Sequence, residues 1–165
     1  MLTGSPPTNW MNLTGHLNIL KKGWKVMKLE EVKFKNYLIS NNKNLLSQER
    51  IHEFLMRSYW ASQRDKETIA RSIKNSECFG IYFNNDQVGF ARIVTDYSVM
   101  YWLCDVFIDE RHRKQGLGKK LIEMIVNHEE LKNLTGILGT MDAHPLYEKY
   151  GFVKDAKRFM RRRVY

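Results

Sequence analysis

Cysteine, proline and long apolar runs are all scarce in this chain of 165 residues, and each scarcity excludes something. The two cysteines, Cys78 and Cys104, lie in apolar strand-like segments and cannot build a disulfide framework. They read as reduced thiols of a cytoplasmic protein. No stretch approaches the roughly 20 apolar residues that cross a bilayer, so no membrane partner is expected. The N-terminus lacks the charged-then-apolar order of an export signal. Zinc-ligand spacings are missing, and no metal is expected. Helix-turn-helix and aromatic RNA-binding patterns are missing too. Acid is also short: 18 Asp and Glu stand against 27 Lys and Arg, a formal net charge of +9. Such an excess asks for an anionic ligand. Hydrophobic and charged contents of 43% and 27% are those of an ordinary globular domain, and a chain this long buries one core but hardly two.

The anionic ligand has a candidate seat in residues 101–121, YWLCDVFIDERHRKQGLGKKL. An apolar strand runs into a short basic turn, and two glycines, Gly116 and Gly118, open an amphipathic helix. Without Cβ atoms these glycines let a ligand approach the backbone closely. The first helical turn adds unpaired N–H groups and the positive end of the macrodipole. Arg113, Lys114, Lys119 and Lys120 surround the turn with cations. A phosphate or pyrophosphate suits such a device. It is not a P-loop, because Lys120 follows Gly118-Lys119 and Arg113 stands where the first glycine is needed. Nor is it the dinucleotide fingerprint, whose third small residue would fall at Leu121. The pattern is R-x-x-G-x-G, from Arg113 to Gly118.

Together with its flanks, this pattern resembles the GNAT superfamily of acyl-CoA-dependent N-acetyltransferases. The strand Asp105-Val-Phe-Ile108, the connection at 109–112 and the R-x-x-G-x-G turn look like that family's cofactor motif. Ala143-His-Pro-Leu146-Tyr147-Glu-Lys-Tyr-Gly151-Phe152 looks like its second signature, A-x-x-L-Y-E-K-x-G-F, with a strand-like segment at 135–140 between the two. Glu110 stands where the family often has proline, and Thr140 where many members carry asparagine. The resemblance implies an α/β fold of GNAT type, with a mixed, mostly antiparallel central sheet flanked by helices. It implies acetyl-CoA as acyl donor and a primary amine of a small molecule or peptide as acceptor. Coenzyme A carries a pyrophosphate and a ribose phosphate, so it accounts for the basic cluster at 111–120. The tail run Arg161-Arg162-Arg163 reads as a solvated terminus, and nucleic acid is not an expected partner.

Along the chain, residues 1–26 have little periodicity and read as an extension outside the core fold, and 27–165 as the N-acetyltransferase domain. A purine-rich ribosome-binding sequence could encode Lys21-Lys22-Gly23-Trp24, which would make Met27 the native start; a genuine docking arm is the rival reading. A first strand is expected at 37–39. Ser47 should cap a helix with Ile51, Phe54 and Leu55 on one face, and a second helix should follow Asp65 with Ile69 and Ile73 inward. Segments 78–83 and 88–94 read as a hairpin around Asn84-Asn85-Asp86, and 100–108 as the next strand. After Gly116, Leu117, Leu121, Met124 and Ile125 share a helical face. Pro145 suits a first turn and Gly151 a helix end. Final strands are expected at 152–154 and 158–164.

Chemistry sets the remaining assignments. The resemblance implies that Val106 and Ile108 offer backbone groups to the pantetheine amides, and that Arg113, Lys114, Gln115, Gly116, Leu117, Gly118 and Lys119 hold the pyrophosphate. A thiolate leaves during transfer, and Tyr147, the tyrosine of the second signature, is the expected acid or hydrogen-bond donor to it. Tyr150 reads as packing. Members that use a base on this strand place it where Trp102 and Cys104 stand here, and neither suits the task. Asp105 should point to the opposite strand face by alternation, so a water-relayed deprotonation is expected, with His112 and His144 as candidate relays. Tyr59, Trp60 and Trp102, with Arg92 and Asp96, are candidates for the acceptor pocket; Arg92 and Asp96 could equally pair with each other. The alternative function is an acyl-CoA-binding sensor or interaction module that has lost catalysis. A homodimer is compatible with the pattern.

Overall fold

A computed structural model describes residues 27–162. The expected extension at 1–26 lies outside the described residues. The element order is β1 (Glu31–Phe34), β2 (Tyr37–Ser40), α1 (Gln48–Met56), α2 (Lys66–Lys74), β3 (Glu77–Phe83), β4 (Asp86–Thr95), β5 (Met100–Ile108), α3 (Leu117–Asn127), β6 (Thr135–Leu138) and α4 (His144–Glu148). Local chemistry explains most boundaries. Ser47 accepts from the Arg50 N–H and Asp65 from the Thr68 N–H, so each caps the helix that follows. Asn84 and Asn85 both take left-handed φ, which turns β3 into β4.

The six strands lie in sequence order, antiparallel throughout except for the parallel pair β5–β6. Helices cover both faces. On one, α3 buries Leu117, Leu121, Ile122 and Ile125 against Ile39, Phe79, Ile81, Ile93 and Leu103. On the other, α1 and α2 pack Ile51, Phe54, Leu55, Ile69 and Ile73 against Cys78, Phe90 and Phe107. Phe54 and Phe107 stack at 5.1 Å between centroids. Most of the expected elements are present.

Two differences stand out. Strand β1 was not expected; its Glu-Val-Lys-Phe alternates charge with apolar side chains over only four residues, and pairing with β2 carries it. The strands expected at 152–154 and 158–164 are not found among the described residues, where 152–162 is irregular. An Asp155–Arg158 turn bends this segment, with the Arg158 N–H on the Asp155 carbonyl at 3.3 Å. Its apolar side chains are spread out: Met160 is 96% exposed, while Phe159 reaches back to Trp102 at 5.5 Å.

Candidate active site

Strands β5 and β6 pair from Met100↔Thr135 to Leu103↔Leu138, and there β6 stops while β5 continues to Ile108. Among the described residues, the half of β5 from Cys104 onward has β4 on one side and no strand on the other. Val106 and Ile108 sit on this free edge, and the Ile108 carbonyl also accepts from Arg113 Nε at 3.0 Å. An extended ligand could occupy the edge as a further strand would.

The chain leaves β5 through Asp109, whose side chain is 1% exposed and faces Arg111 (3.1 Å), Arg57 (3.3 Å) and Arg50 (3.6 Å). The Arg111 hydrogen bond, foremost among these, holds the Asp109 carboxyl far below the usual carboxylate range. This anchor fixes the start of the basic turn. Lys114 and Gly116 both adopt left-handed φ, +63° and +83°. Left-handed residues at such short spacing turn successive amides inward. Gly116 precedes α3 without a side-chain cap, so the first N–H groups of α3 stay available to a ligand. A Cβ on Gly118 would meet only Leu146, at 3.7 Å, so that glycine is not forced by packing.

Neighbours brace this turn from both sides. Lys35 Nζ donates to the Gln115 carbonyl at 2.8 Å, and the Tyr150 hydroxyl donates to the Lys119 carbonyl at 2.8 Å. Tyr150 therefore ties α4 to the first turn of α3. Arg113 pairs with Glu110 at 2.9 Å, so much of its charge is already answered.

Tyr147 on α4 is buried, and its ring meets Phe152 edge-on at 5.9 Å. Its hydroxyl bonds to no described residue. Burial, with Tyr59 and Asp142 nearby, pushes its pKa up to about 12. With His144, it lines a groove of about 940 Å³ along the outer edge of β6. His112, the other candidate relay, is instead engaged at β2: its Nδ1 meets the Tyr37 hydroxyl at 3.0 Å beside Phe83.

Of the acceptor-side candidates, Tyr59 reaches furthest. From the loop between α1 and α2 its hydroxyl accepts the Met141 N–H at 3.0 Å, bridging to the segment between β6 and α4. Trp60 stands edge-on to Tyr59 at 4.8 Å. Trp102 lies on β5 opposite Val94, which is exposed. Arg92 and Asp96 do not pair. Asp96 accepts the N–H groups of Ser98, Val99 and Met100, and Arg92 binds Asp105 through Nε at 2.7 Å.

Asp105 corrects the simple alternation of β5. It takes a left-handed φ of +53°, and the β4–β5 register shifts between Phe90 and Arg92. This bulge turns its carboxylate onto the face of Arg92 and Cys104, where Arg64 Nη1 also binds both oxygens at 3.1 and 3.0 Å. Both Asp105 oxygens are thus committed to guanidinium groups. Burial drives the Cys104 thiol up to about 11, against the opposing pull of Arg92.

Among the described residues no cluster of metal-ligating side chains occurs, and no helix is long and apolar enough to cross a membrane. Sequence reasoning missed Arg64, Lys35 and the bulge that turns Asp105 toward Arg92. The one available signal was an aspartate inside an otherwise apolar strand.

A sheet that opens beside a backbone cradle for phosphate defines a class of fold suited to a long phosphorylated thioester. The comparisons agree. A family model described as Acetyltransferase (GNAT) domain matches residues 74–154. A solved structure from Xanthomonas campestris pv. campestris, assigned to the GNAT acetyltransferases, is 34% identical, with a TM-score of 0.75 over 80% of this chain and 96% of that one. The chain belongs to the GNAT acetyltransferase family. The spermine/spermidine N(1)-acetyltransferase of Bacillus subtilis is 34% identical over 86 residues, 44% of this chain and 57% of that protein. A GNAT structure from Elizabethkingia anophelis with acetyl-CoA bound shares the fold at 18% identity and a TM-score of 0.55, covering 71% of this chain and 76% of that one.

Proposed function

We propose that the protein transfers the acetyl group of acetyl-CoA directly to a primary amine of a small molecule or peptide, both substrates being bound together. The observation that carries this reading is the free edge of β5 running into the uncapped, left-handed turn at Gly116. The edge at Val106 and Ile108 suits the pantetheine amides. Residues Arg113, Lys114, Gln115, Gly116, Leu117, Gly118 and Lys119 suit the pyrophosphate, mainly through backbone N–H groups.

The thioester supplies the electrophilic carbonyl, and the chain's own residues handle protons and water. A lysine-like amine costs about 4–5 kcal/mol to deprotonate at pH 7. Asp105 and Cys104 cannot meet that cost, so water carries the proton out, with His144 as the remaining relay candidate. Tyr147 stays protonated and donates to the sulfur as charge builds there. Full proton transfer from a hydroxyl near 12 to an ordinary thiolate near 8.5 would be roughly 5 kcal/mol uphill. Tyr147 therefore works as a hydrogen-bond donor, and the second proton, lost by the nitrogen once it is acylated, completes the thiol. Tyr59, Trp60 and Trp102 border the acceptor. The Bacillus subtilis relative's name specifies polyamines as its own acceptors.

The absence of a free carboxylate on β5 favours a second reading, an acyl-CoA-binding module without turnover. Thiol release from acetyl-CoA across a panel of amines decides between them. Acceptor-dependent release supports the enzyme; binding without release supports the module.

A further inference from the structure

On the face of the sheet that carries α1 and α2, β5 is covered at Phe107 but open at Trp102, beside the exposed Val94. Two guanidiniums, Arg64 from the loop and Arg92 from β4, converge on one carboxylate, Asp105, whose side chain is 2% exposed. One positive charge is left over. Arg64 is 29% exposed and uses only Nη1, so its Nε and Nη2 donors remain available among the described residues. Arg92 spends Nε on Asp105 and Nη1 on Ser76, leaving Nη2. Arg92 faces Cys104, one residue beyond the last β5–β6 pair, and Arg64 meets Asp105 two residues beyond it, where the sheet opens. Phe159 closes the other side against Trp102, in a segment that also carries Arg158, Arg161 and Arg162. Asp155 answers Arg158 at 3.7 Å.

We propose that the acceptor amine carries an anionic group, a carboxylate or a phosphate, which Arg64 and Arg92 bind while Trp102 packs against the acceptor's carbon skeleton. This rests on the acetyltransferase reading and narrows its substrate class. A planar guanidinium fork matches either anion with two parallel hydrogen bonds. Asp105 prepares the fork: the left-handed bulge places its carboxylate to aim both arginines without cancelling both charges. A polyamine, cationic along its length, would meet the surplus charge as repulsion. Asp142, a carboxylate close enough to act on Tyr147, makes no ion pair with Arg64 or Arg92.

The test measures kcat/KM of the full chain with acetyl-CoA for an α-amino acid, its uncharged amide, an aminoalkyl phosphate and spermidine, alongside direct acetyl-CoA binding. The account expects one of the two anionic acceptors to exceed both the amide and spermidine, and which one does identifies the anion. Arg64→Gln should lower the ratio of anionic to amide kcat/KM about tenfold to a hundredfold, as expected for losing hydrogen bonds to a charged group. Arg64→Lys should recover only part of it, since the fork is gone. Preference for spermidine, or an equal loss on the amide in Arg64→Gln, overturns the anionic acceptor alone. Absence of acetyl-CoA binding overturns the acetyltransferase reading and this one with it.

Discussion

At the residue scale, Tyr147 and Asp105 show how burial and partners divide the work. Tyr147 keeps its proton because burial disfavours the phenolate, which suits a donor and disqualifies a base. Tyr147→Phe should lower kcat by about tenfold to a hundredfold, the range for a hydrogen bond to a charged partner. The Kd for acetyl-CoA, measured by calorimetry, should stay near the wild-type value; unchanged turnover would remove the role. Burial keeps the Cys104 thiol protonated, and both Asp105 oxygens are taken by guanidinium groups. The logarithm of kcat/KM should therefore rise with unit slope from about pH 6 to 9, following ionisation of the acceptor amine itself. A plateau near pH 7 would reveal an enzymic base. Tyr147 was legible in the sequence because it stands in a recurring signature. The Arg64–Asp105–Arg92 cluster was not, because nothing local marks three residues that meet only when a loop, β4 and β5 fold together.

At the element scale, the phosphate turn depends on backbone shape more than on any one lysine. Gly116 holds a φ of +83°, and a Cβ there would find room, with Phe34 no nearer than 3.7 Å. Gly116→Ala should therefore cost about 1–2 kcal/mol through strain alone. Denaturant unfolding checks that, and acetyl-CoA affinity should fall alongside. The turn's anchor is Asp109. Its carboxyl is depressed below the ordinary 3.8, so its contribution is fully present above that pH and is lost as pH falls toward the depressed value. Asp109→Asn should destabilise the fold at pH 7 by about 1–3 kcal/mol, toward the lower end because Arg111 is largely exposed. The gap between variant and wild type should narrow below about pH 3, read as converging unfolding curves. The hairpin of β3 and β4 was legible from its Asn84-Asn85-Asp86 turn, and α3 from its apolar face after Gly116. Strand β1 was too short and too charged to announce itself, and the tail lacked a partner strand that would have made its alternation count.

At the scale of the whole molecule, the sheet opens along β5 where β6 ends, and the guanidiniums of Arg64 and Arg92 gather on the face that carries α1 and α2. The fold class was readable because two signatures flank α3 at a fixed order. The face proposed to receive the amine was not readable, because it is assembled from a loop, two strands and the tail. The basic residues behind the net charge of +9 include two clusters, the turn at Gly116 and the guanidiniums around Asp105. The central claim is that the free edge of β5 and the turn at Gly116 hold acetyl-CoA. Calorimetric titration of acetyl-CoA into the full chain tests it most directly. The account predicts saturable binding at one site with Kd below about 1 mM, the upper range for enzyme substrates, and weaker binding for Gly116→Ala. No saturable uptake of acetyl-CoA by the folded protein would contradict it.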